Sequence, residues 1–471
     1  MIGRINRIVV VGGGITGLAA AHRLVELGHH VTLVEASPRL GGTIQTTYRD
    51  GFLLERGPDS FISEKPEALQ LARRLGLESQ LIQTNEEYRR SFIVRNRRLR
   101  AVPEGFQLLA PSRLWPFLTS DIFSVAGKMR MAADLFVPRK STNGTDDESL
   151  ASFVRRRLGE EALERMAQPM VGGIYTADPE TLSLRATLPR FLDMEREHRS
   201  LILAMLRQSH VQKAGTSGAR YSLFLSFERG MQALVDELAK SKADICLNTR
   251  AARLQQDNGN WTITTNTGEQ LQAGAVCLAL PAYVAASLLE NVNRTLATKL
   301  NQLKYASTAT INFAYKRSGI NHLLNGFGFV VPFVEKRTLI ACTFSSVKFS
   351  GRAPSGHVLL RAFAGGALQP EIFALDESEL AARVEADLRE LLEITAKPLF
   401  IEVAKWERSM PQYEVGHLDR INEAENEVSK LPGLALAGNS YRGAGIPDCI
   451  RSGQSAAESI ITYLKPAPTP H

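Results

Sequence analysis

The feature that most constrains this chain is Gly12-Gly13-Gly14-Ile15-Thr16-Gly17. It sits between a β-branched run, Ile8 to Val11, and the apolar stretch Leu18-Ala19-Ala20-Ala21-His22-Arg23-Leu24. The run reads as a buried parallel strand and the stretch as a helix. Each glycine has a physical task at this spacing. Gly12 permits the tight turn, Gly14 admits a pyrophosphate close to the backbone, and Gly17 lets the helix close onto the strand. The helix start, with Gly13, Ile15 and Thr16 around it, then offers unpaired amides and a positive dipole end to phosphate. A second strand, Val31-Thr32-Leu33-Val34, ends at Glu35, 18 residues past Gly17. An acid at that distance accepts hydrogen bonds from an adenosine ribose. The glycine pattern alone would be weak evidence. Strand, turn, helix, second strand and acid together predict an α/β fold of the Rossmann type.

At 471 residues the chain exceeds one compact core, so two or three lobes are expected. With 44% hydrophobic and 22% charged residues it is not globally disordered. A net charge of +7 allows acidic substrates or an anionic membrane surface and does not by itself imply nucleic acid. Cys246, Cys277, Cys342 and Cys449 lie far apart with no CxxC spacing or nearby histidine pattern. No metal site, redox dithiol or disulfide framework is therefore expected, and a reducing, cytoplasmic setting is the simpler reading. The N-terminus runs straight into the first strand, which leaves no room for a signal peptide. No apolar stretch approaches the roughly 18 residues of a spanning helix.

Arg39-Leu40-Gly41-Gly42-Thr43 and Glu55-Arg56-Gly57-Pro58 follow the nucleotide unit. Taken alone, Gly41-Gly42 is compatible with a plain turn. With its neighbours it resembles the second glycine motif of the large flavoprotein oxidase superfamily that includes amine oxidases and phytoene desaturases. That resemblance implies FAD, since NAD enzymes lack this extension. It also implies cofactor contacts from Ala36, Arg39, Gly42, Thr43, Gly57, Pro58, Asp59 and Ser60, and from Ala251 and Trp406 further on. Ile245 to Leu254 looks like a later strand covering the adenine. Trp261 to Asn266 and Ala275 to Pro281 look like strands of a small β-meander and its return to the main sheet. Leu434 to Gly438 reads as another strand, leading through Gly443-Ala444-Gly445-Ile446-Pro447-Asp448 into a helix starting near Ile450. That helix start aims amides at a flavin carbonyl, placing Gly438, Ala444, Gly445 and Ile446 at the cofactor.

The FAD-binding domain is thus expected to be discontinuous, from 1–84, 216–297 and 411–465. Residues 85–215 read as a mainly helical insertion and 298–410 as a substrate-binding domain, with a loose tail at 466–471. Within 103–140, Phe106, Leu114-Trp115-Pro116-Phe117-Leu118 and Leu135-Phe136 interleave with Arg113, Lys128, Arg130, Arg139 and Lys140. Lying on a membrane surface and packing within its own domain both satisfy that pattern.

Six further segments sharpen the resemblance over nearly the whole chain. They are Glu55 to Phe61, Leu99 to Pro103, Val171 to Pro179, Gly326 to Pro332, Pro411-Gln412-Tyr413 with Gly416-His417, and Gly438 to Ile450. In this order they resemble the porphyrinogen oxidases of haem synthesis. The resemblance implies a six-electron oxidation of a porphyrinogen, with dioxygen as acceptor and hydrogen peroxide as product, and contact with the next haem-pathway enzyme. It places Gly172 and Gly173 beside the substrate, with a Gly173 backbone carbonyl facing a pyrrole N–H. Ile174, Tyr175, Phe327, Val330 and Phe349 are the expected pocket wall; core packing is the alternative for each. Arg90, in the dense group Arg89 to Arg100, is the candidate partner of a substrate carboxylate, against a solvated face. Asp59, Ser91 where eukaryotic relatives have arginine, and Ile446-Pro447-Asp448 resemble the bacterial coproporphyrinogen III type; protoporphyrinogen IX is the alternative substrate. Amine oxidase or carotenoid desaturase activity is the more distant alternative, and no lysine motif of the amine oxidases is found. A non-enzymatic scaffold carrying FAD structurally is the reading outside enzymes.

Overall fold

Strand Arg7–Val11 is buried from Ile8 onward and has parallel partners on both sides, His30–Val34 and Ala275–Leu278. Asp244–Cys246 and Leu434–Leu436 extend the sheet, all parallel, in the order 244–246, 30–34, 7–11, 275–278, 434–436. Beginning, middle and end of the chain therefore build one sheet. Its strands are apolar runs because both faces are covered. Ile8, Val10 and Cys277 pack on helices Ile15–Glu26 and Ile446–Leu464, through Leu18, Ala21, Ile450 and Ala457. Val9, Val11 and Val276 pack on the opposite side against Trp261, Ile263, Ala285 and Leu289. The computed structural model describes residues 5–107, 109–111, 113–140, 147–212 and 223–465, so the expected tail at 466–471 lies outside the described residues.

Two boundaries differ from the sequence reading. The expected strand from Ile245 to Leu254 is two elements, Asp244–Cys246 in the parallel sheet and Ala251–Asp257 in a three-stranded antiparallel meander. Asn248 takes a left-handed φ of 53° between them, and the Asn248 and Thr249 amides donate to the Ser37 and Glu35 carbonyls. That backbone pairing turns the chain across the end of the second strand. The last helix starts at Ile446 rather than Ile450, with Pro447 in its first turn, where the missing N–H costs nothing.

The second sheet has seven strands, in the order Phe400–Pro411, Tyr305–Lys316, His357–Gly365, Leu339–Phe344, Gly328–Val330, Ser91–Arg95 and Arg98–Ala101. Strand alternation gives it two unlike faces. Ile311, Phe313, Phe329, Phe344, Leu360 and Ala362 meet Leu380, Val384 and Leu388 of helix Glu377–Leu391. By register, Thr308, Thr310, Asn312, Val330, Thr343, Arg361 and Phe363 share the other face. The hairpin 91–101 completes this sheet, pairing in parallel with Gly328–Val330. The 85–215 stretch thus contributes strands to the sheet built mainly from 298–410. Its helices have their own core around Phe153, Leu184, Phe191 and Met205. Arg157 and Asp134, both fully buried, form an ion pair inside it.

Helices Ile15–Glu26 and Ile446–Leu464 cross closely because Gly453 has no side chain. A Cβ there would lie 2.2 Å from the Thr16 carbonyl oxygen. Gly453→Val should therefore separate the two helices and cost about 1–3 kcal/mol, the overpacking range. Urea unfolding checks this, with a lowered midpoint at unchanged m-value expected.

Candidate active site

The glycine loop is built by close backbone approach at two of its positions and open space at a third. Gly12 has φ +107°, and a Cβ there would lie 2.4 Å from the Ala279 carbonyl oxygen. A Cβ on Gly17 would lie 1.9 Å from the Gly12 carbonyl oxygen. A Cβ on Gly14 would meet nothing within 4 Å. Gly14 bridges Gly41, the Gly41 amide donates to the Gly13 carbonyl at 2.8 Å, and Gly42 lies over the Gly14 Cα. Arg39 braces this second loop, donating to the carbonyls of Leu40 and Ile44 at 3.1 Å and of Gly42 at 2.5 Å. Helix Ile15–Glu26 begins at Gly14 with no side-chain cap, and Ile15 and Thr16 are buried there. Uncapped amides facing a gap between two glycine loops fit the diphosphate of a dinucleotide.

Glu35 follows the second strand, His30–Val34. Its Oε2 accepts from the Gly13 amide at 2.6 Å and its Oε1 from the Ser37 amide at 2.8 Å. The carboxylate thus also ties the glycine loop to the second strand. Ala36 is exposed beside it, and Ala251 heads the meander where residues 248–249 cross.

From Gly42 the cradle continues into the loop Glu55 to Ser60. A Cβ on Gly57 would lie 1.8 Å from the Thr43 carbonyl oxygen. The Arg56 carbonyl accepts from the Thr310 hydroxyl and, at 2.8 Å, from the Trp406 indole; the Glu55 carbonyl accepts from the Asn312 amide at 3.2 Å. Pro58 follows, half-buried. The Asp59 side chain is committed to Lys348 at 3.1 Å and to Ser60 at 2.8 Å, with Arg361 3.7 Å away. Burial alone would raise the Asp59 carboxyl, but Arg361 and then Lys348 hold it well below the usual carboxylate range.

A second uncapped helix start lies at Gly445, opening Ile446–Leu464. The loop Gly438 to Ala444 leading to it is clamped from outside. Tyr413 donates its hydroxyl to the Asn439 carbonyl and accepts from the Gly443 amide at 2.9 Å. The Tyr413 ring stacks on His417 at 4.0 Å, and His417 Nε2 meets the Tyr441 carbonyl at 2.8 Å. Burial pushes His417 down to about 4, so it is neutral at physiological pH and donates from Nε2. Asp448, in the first turn, is held by Lys65 at 2.6 Å and Arg451 at 2.5 Å.

Across from these loops, Gly172 and Gly173 occupy the last turn of helix Gln168–Tyr175. Thr176 ends the helix at φ +49°, and its amide occupies the Gly172 carbonyl at 2.9 Å. Gly173 is exposed, and a Cβ on it would lie 3.6 Å from Val330. Ile174 beside it is 52% exposed. Tyr175 donates to the Thr187 carbonyl at 3.3 Å; burial, then Asp448, pushes its phenol up to about 12. Phe327 is half-buried, its amide donating to the Arg90 carbonyl at 2.7 Å, while the Arg90 side chain is exposed. Phe349 departs from the expected wall. It is 1% exposed and packs under Lys348 and Arg352 at 4.9 and 5.5 Å, because helix Ser345–Lys348 delivers it to the Asp59 loop.

The structure therefore brings the two glycine loops, Glu35 and the Gly57 loop into one cradle, and Gly173 onto Val330. Thr310, Asn312, Lys348, Arg361 and Tyr413 were not among the expected site residues. The alternation of Thr308, Thr310 and Asn312 with Ala309, Ile311 and Phe313 carries the signal for the first two.

A family model described as flavin-containing amine oxidoreductase matches residues 15–461. The chain is 36% identical to a coproporphyrinogen III oxidase of Bacillus subtilis, with 98% of each chain covered. It is 31% identical to a chloroplastic protoporphyrinogen oxidase of Nicotiana tabacum, covering 97% of this chain and 85% of that one. A crystal structure from Exiguobacterium sp. 255-15, provisionally named protoporphyrinogen oxidase, superposes with a TM-score of 0.86 at 32% identity, covering 97% of this chain and 98% of that one.

The unlike surroundings of Gly14 and Gly17 separate binding from folding. Gly14→Val should fold with near-normal apoprotein stability and purify without FAD, because its side chain would fill the phosphate gap. Gly17→Val should lose stability with or without FAD, because it collides with backbone. Flavin absorbance and apoprotein melting of both variants check this; a Gly14→Val protein with full FAD would contradict it. Glu35→Ala should weaken FAD binding by roughly 1.5–3 kcal/mol, the range for hydrogen bonds to charged groups, read by flavin titration.

Proposed function

The chain belongs to the flavin-containing amine oxidoreductase family, and from that premise we propose that it oxidises coproporphyrinogen III to coproporphyrin III. The end-to-end identity with a coproporphyrinogen III oxidase is the observation that carries this reading. Protoporphyrinogen IX is the alternative substrate. Reaching the aromatic ring removes six electrons, which with a two-electron acceptor takes three rounds. One porphyrinogen and three dioxygen molecules then give one porphyrin and three hydrogen peroxide molecules.

Bound FAD supplies the two-electron acceptance and the reaction with dioxygen. The protein's part is to hold a large macrocycle against it and exclude water. Gly173 and Val330 form the contact surface, and among the described residues none donates to the Gly173 carbonyl. That carbonyl is free to accept a pyrrole N–H, whereas the Gly172 carbonyl is taken by Thr176. The Tyr175 phenol stays protonated and anchored to Thr187, so it serves as wall rather than base. The exposed Arg90 lies just before strand Ser91–Arg95, its carbonyl paired with the Phe327 amide, suited to a propionate at the pocket mouth.

The protein is further proposed to work at the cytoplasmic membrane surface. Helices Leu114–Thr119 and Val125–Ala132 and the turn after them expose Leu114, Trp115, Leu118, Val125, Met129 and Phe136, with Trp115 at 75% and Phe136 at 81%. Arg113, Lys128, Arg139 and Lys140 flank this patch, the pattern of an interfacial segment on anionic lipid. No helix of the described residues is long and apolar enough to cross a membrane.

Porphyrin fluorescence from the two porphyrinogens, measured side by side, tests the substrate. Higher kcat/KM for coproporphyrinogen III and three dioxygen molecules per porphyrin are expected; equal or better use of protoporphyrinogen IX would sink the assignment. Arg90→Ala should raise KM for the tetra-acid more than for the di-acid at nearly unchanged kcat. Sedimentation with vesicles containing anionic lipid should carry down the wild type, and Trp115→Ser/Phe136→Ser should stay in solution. Wild type left in solution would end the membrane reading.

A further inference from the structure

A cluster of buried charge that the substrate reading does not use lies behind the loop Glu55 to Ser60. Three cations, Lys348, Arg352 and Arg361, and the carboxylate Glu55 are buried there, and Asp59 stands beside them with its side chain 13% exposed. Arg352 is spent on structure, donating to the Glu228 and Phe227 carbonyls and to Ser226, which in turn donates to the Asp59 carbonyl. Lys348 is paired with Asp59. Arg361 is left under-partnered. Its nearest carboxylate in an ion pair is Asp59 at 3.7 Å, its plane rests on the Phe363 ring at 4.7 Å, and its Nε and Nη1 have no hydrogen-bond partner. Directly across the strand pair, the Asn312 Oδ1 is unpartnered too. A buried guanidinium with unsatisfied donors is costly unless its charge is used.

Its placement indicates the use. Arg361 shares a face with Thr310 and Asn312, which hold the Arg56 and Glu55 carbonyls. The loop they hold continues the glycine cradle through Gly57 on Thr43. The cations thus stand behind the segment along which the cofactor must run. We propose that this buried excess of positive charge, with Arg361 as the tuning residue, stabilises the negative charge that a bound flavin gains on reduction. A hydride brings two electrons and one proton, so it leaves the ring system with one negative charge. Fixed cations in a water-poor interior favour that state more strongly than solvent-screened ones. Asp59 acts with the opposite sign and limits the effect. The inference rests on the flavin assignment and is independent of which porphyrinogen, if any, is oxidised.

The test uses the FAD-loaded full chain without substrate. Sulfite adds to the oxidised flavin and leaves it negatively charged, so its dissociation constant reads the same electrostatics as the two-electron potential. Arg361→Met should raise the sulfite dissociation constant roughly tenfold and lower the potential by about 30 mV, the two-electron equivalent. Arg361→Lys should stay near the wild type. Asp59→Asn should shift both quantities the other way. If Arg361→Met does not hold FAD, Asp59→Asn and Lys348→Met decide, with opposite shifts expected. Unchanged sulfite affinity and potential in the charge-changing variants, or shifts of one sign in all of them, would overturn the proposal. So would an Arg361→Met protein altered only in KM for a porphyrinogen, which would make Arg361 a substrate anchor.

Discussion

The grip of the second sheet on the Glu55–Arg56 backbone is the contact on which the site depends. Asn312 holds one carbonyl, and Thr310 and Trp406 hold the next. One side of this short loop is packed on the glycine cradle at Thr43, and the other is docked on a sheet assembled from distant segments. Backbone carbonyls buried at such a joint must be paired, so their three donors fix the loop's height and tilt. The distance between Gly14 and Glu35 at one end and the face carrying Val330 and Gly173 at the other then follows. The Tyr413 clamp on the Gly438–Ala444 loop makes the corresponding setting at the other helix start.

Electrostatics divides the same region into two kinds of charge. At the helix starts, Ile15 and Ile446, the positive ends of helices are left uncapped, as an anionic ligand requires. Behind the loop, full charges are packed together, three cations against the carboxylates Asp59 and Glu55. Asp59 is kept ionised by Arg361 and Lys348, while burial pushes Glu55 up to about 7, eased by its bonds from Met231 and Thr46. On the proposed reading the helix-start dipoles serve binding, and the buried ions tune the bound cofactor.

Much of the nucleotide half was legible in the sequence, because its constraints are local. Turn, helix closure and acid lie within thirty or so residues, and each glycine has a steric reason that spacing alone exposes. The strand from Ile245 was misread as one element because the break depends on Asn248 and Thr249 pairing with Ser37 and Glu35, two hundred residues away. That the hairpin Ser91–Ala101 joins the second sheet is not legible for the same kind of reason: its partner, Gly328–Val330, is distant in sequence. Phe349 read as pocket wall because an aromatic beside a lysine has no sign of direction. Lys348 and Arg361 gave no hint of burial, since a cation in a strand or short helix usually faces water. Only the fold reveals that Asp59 is waiting for them.

On the proposed function, electrons leave a porphyrinogen through a flavin held in this cradle. Anaerobic mixing of the FAD-loaded protein with coproporphyrinogen III tests it most directly, by following flavin and porphyrin absorbance together. The oxidised flavin band should bleach within a turnover, stay bleached without oxygen, and return when oxygen is admitted as porphyrin accumulates. A flavin that remains oxidised while porphyrin forms, or that is never reduced by either porphyrinogen, would contradict it.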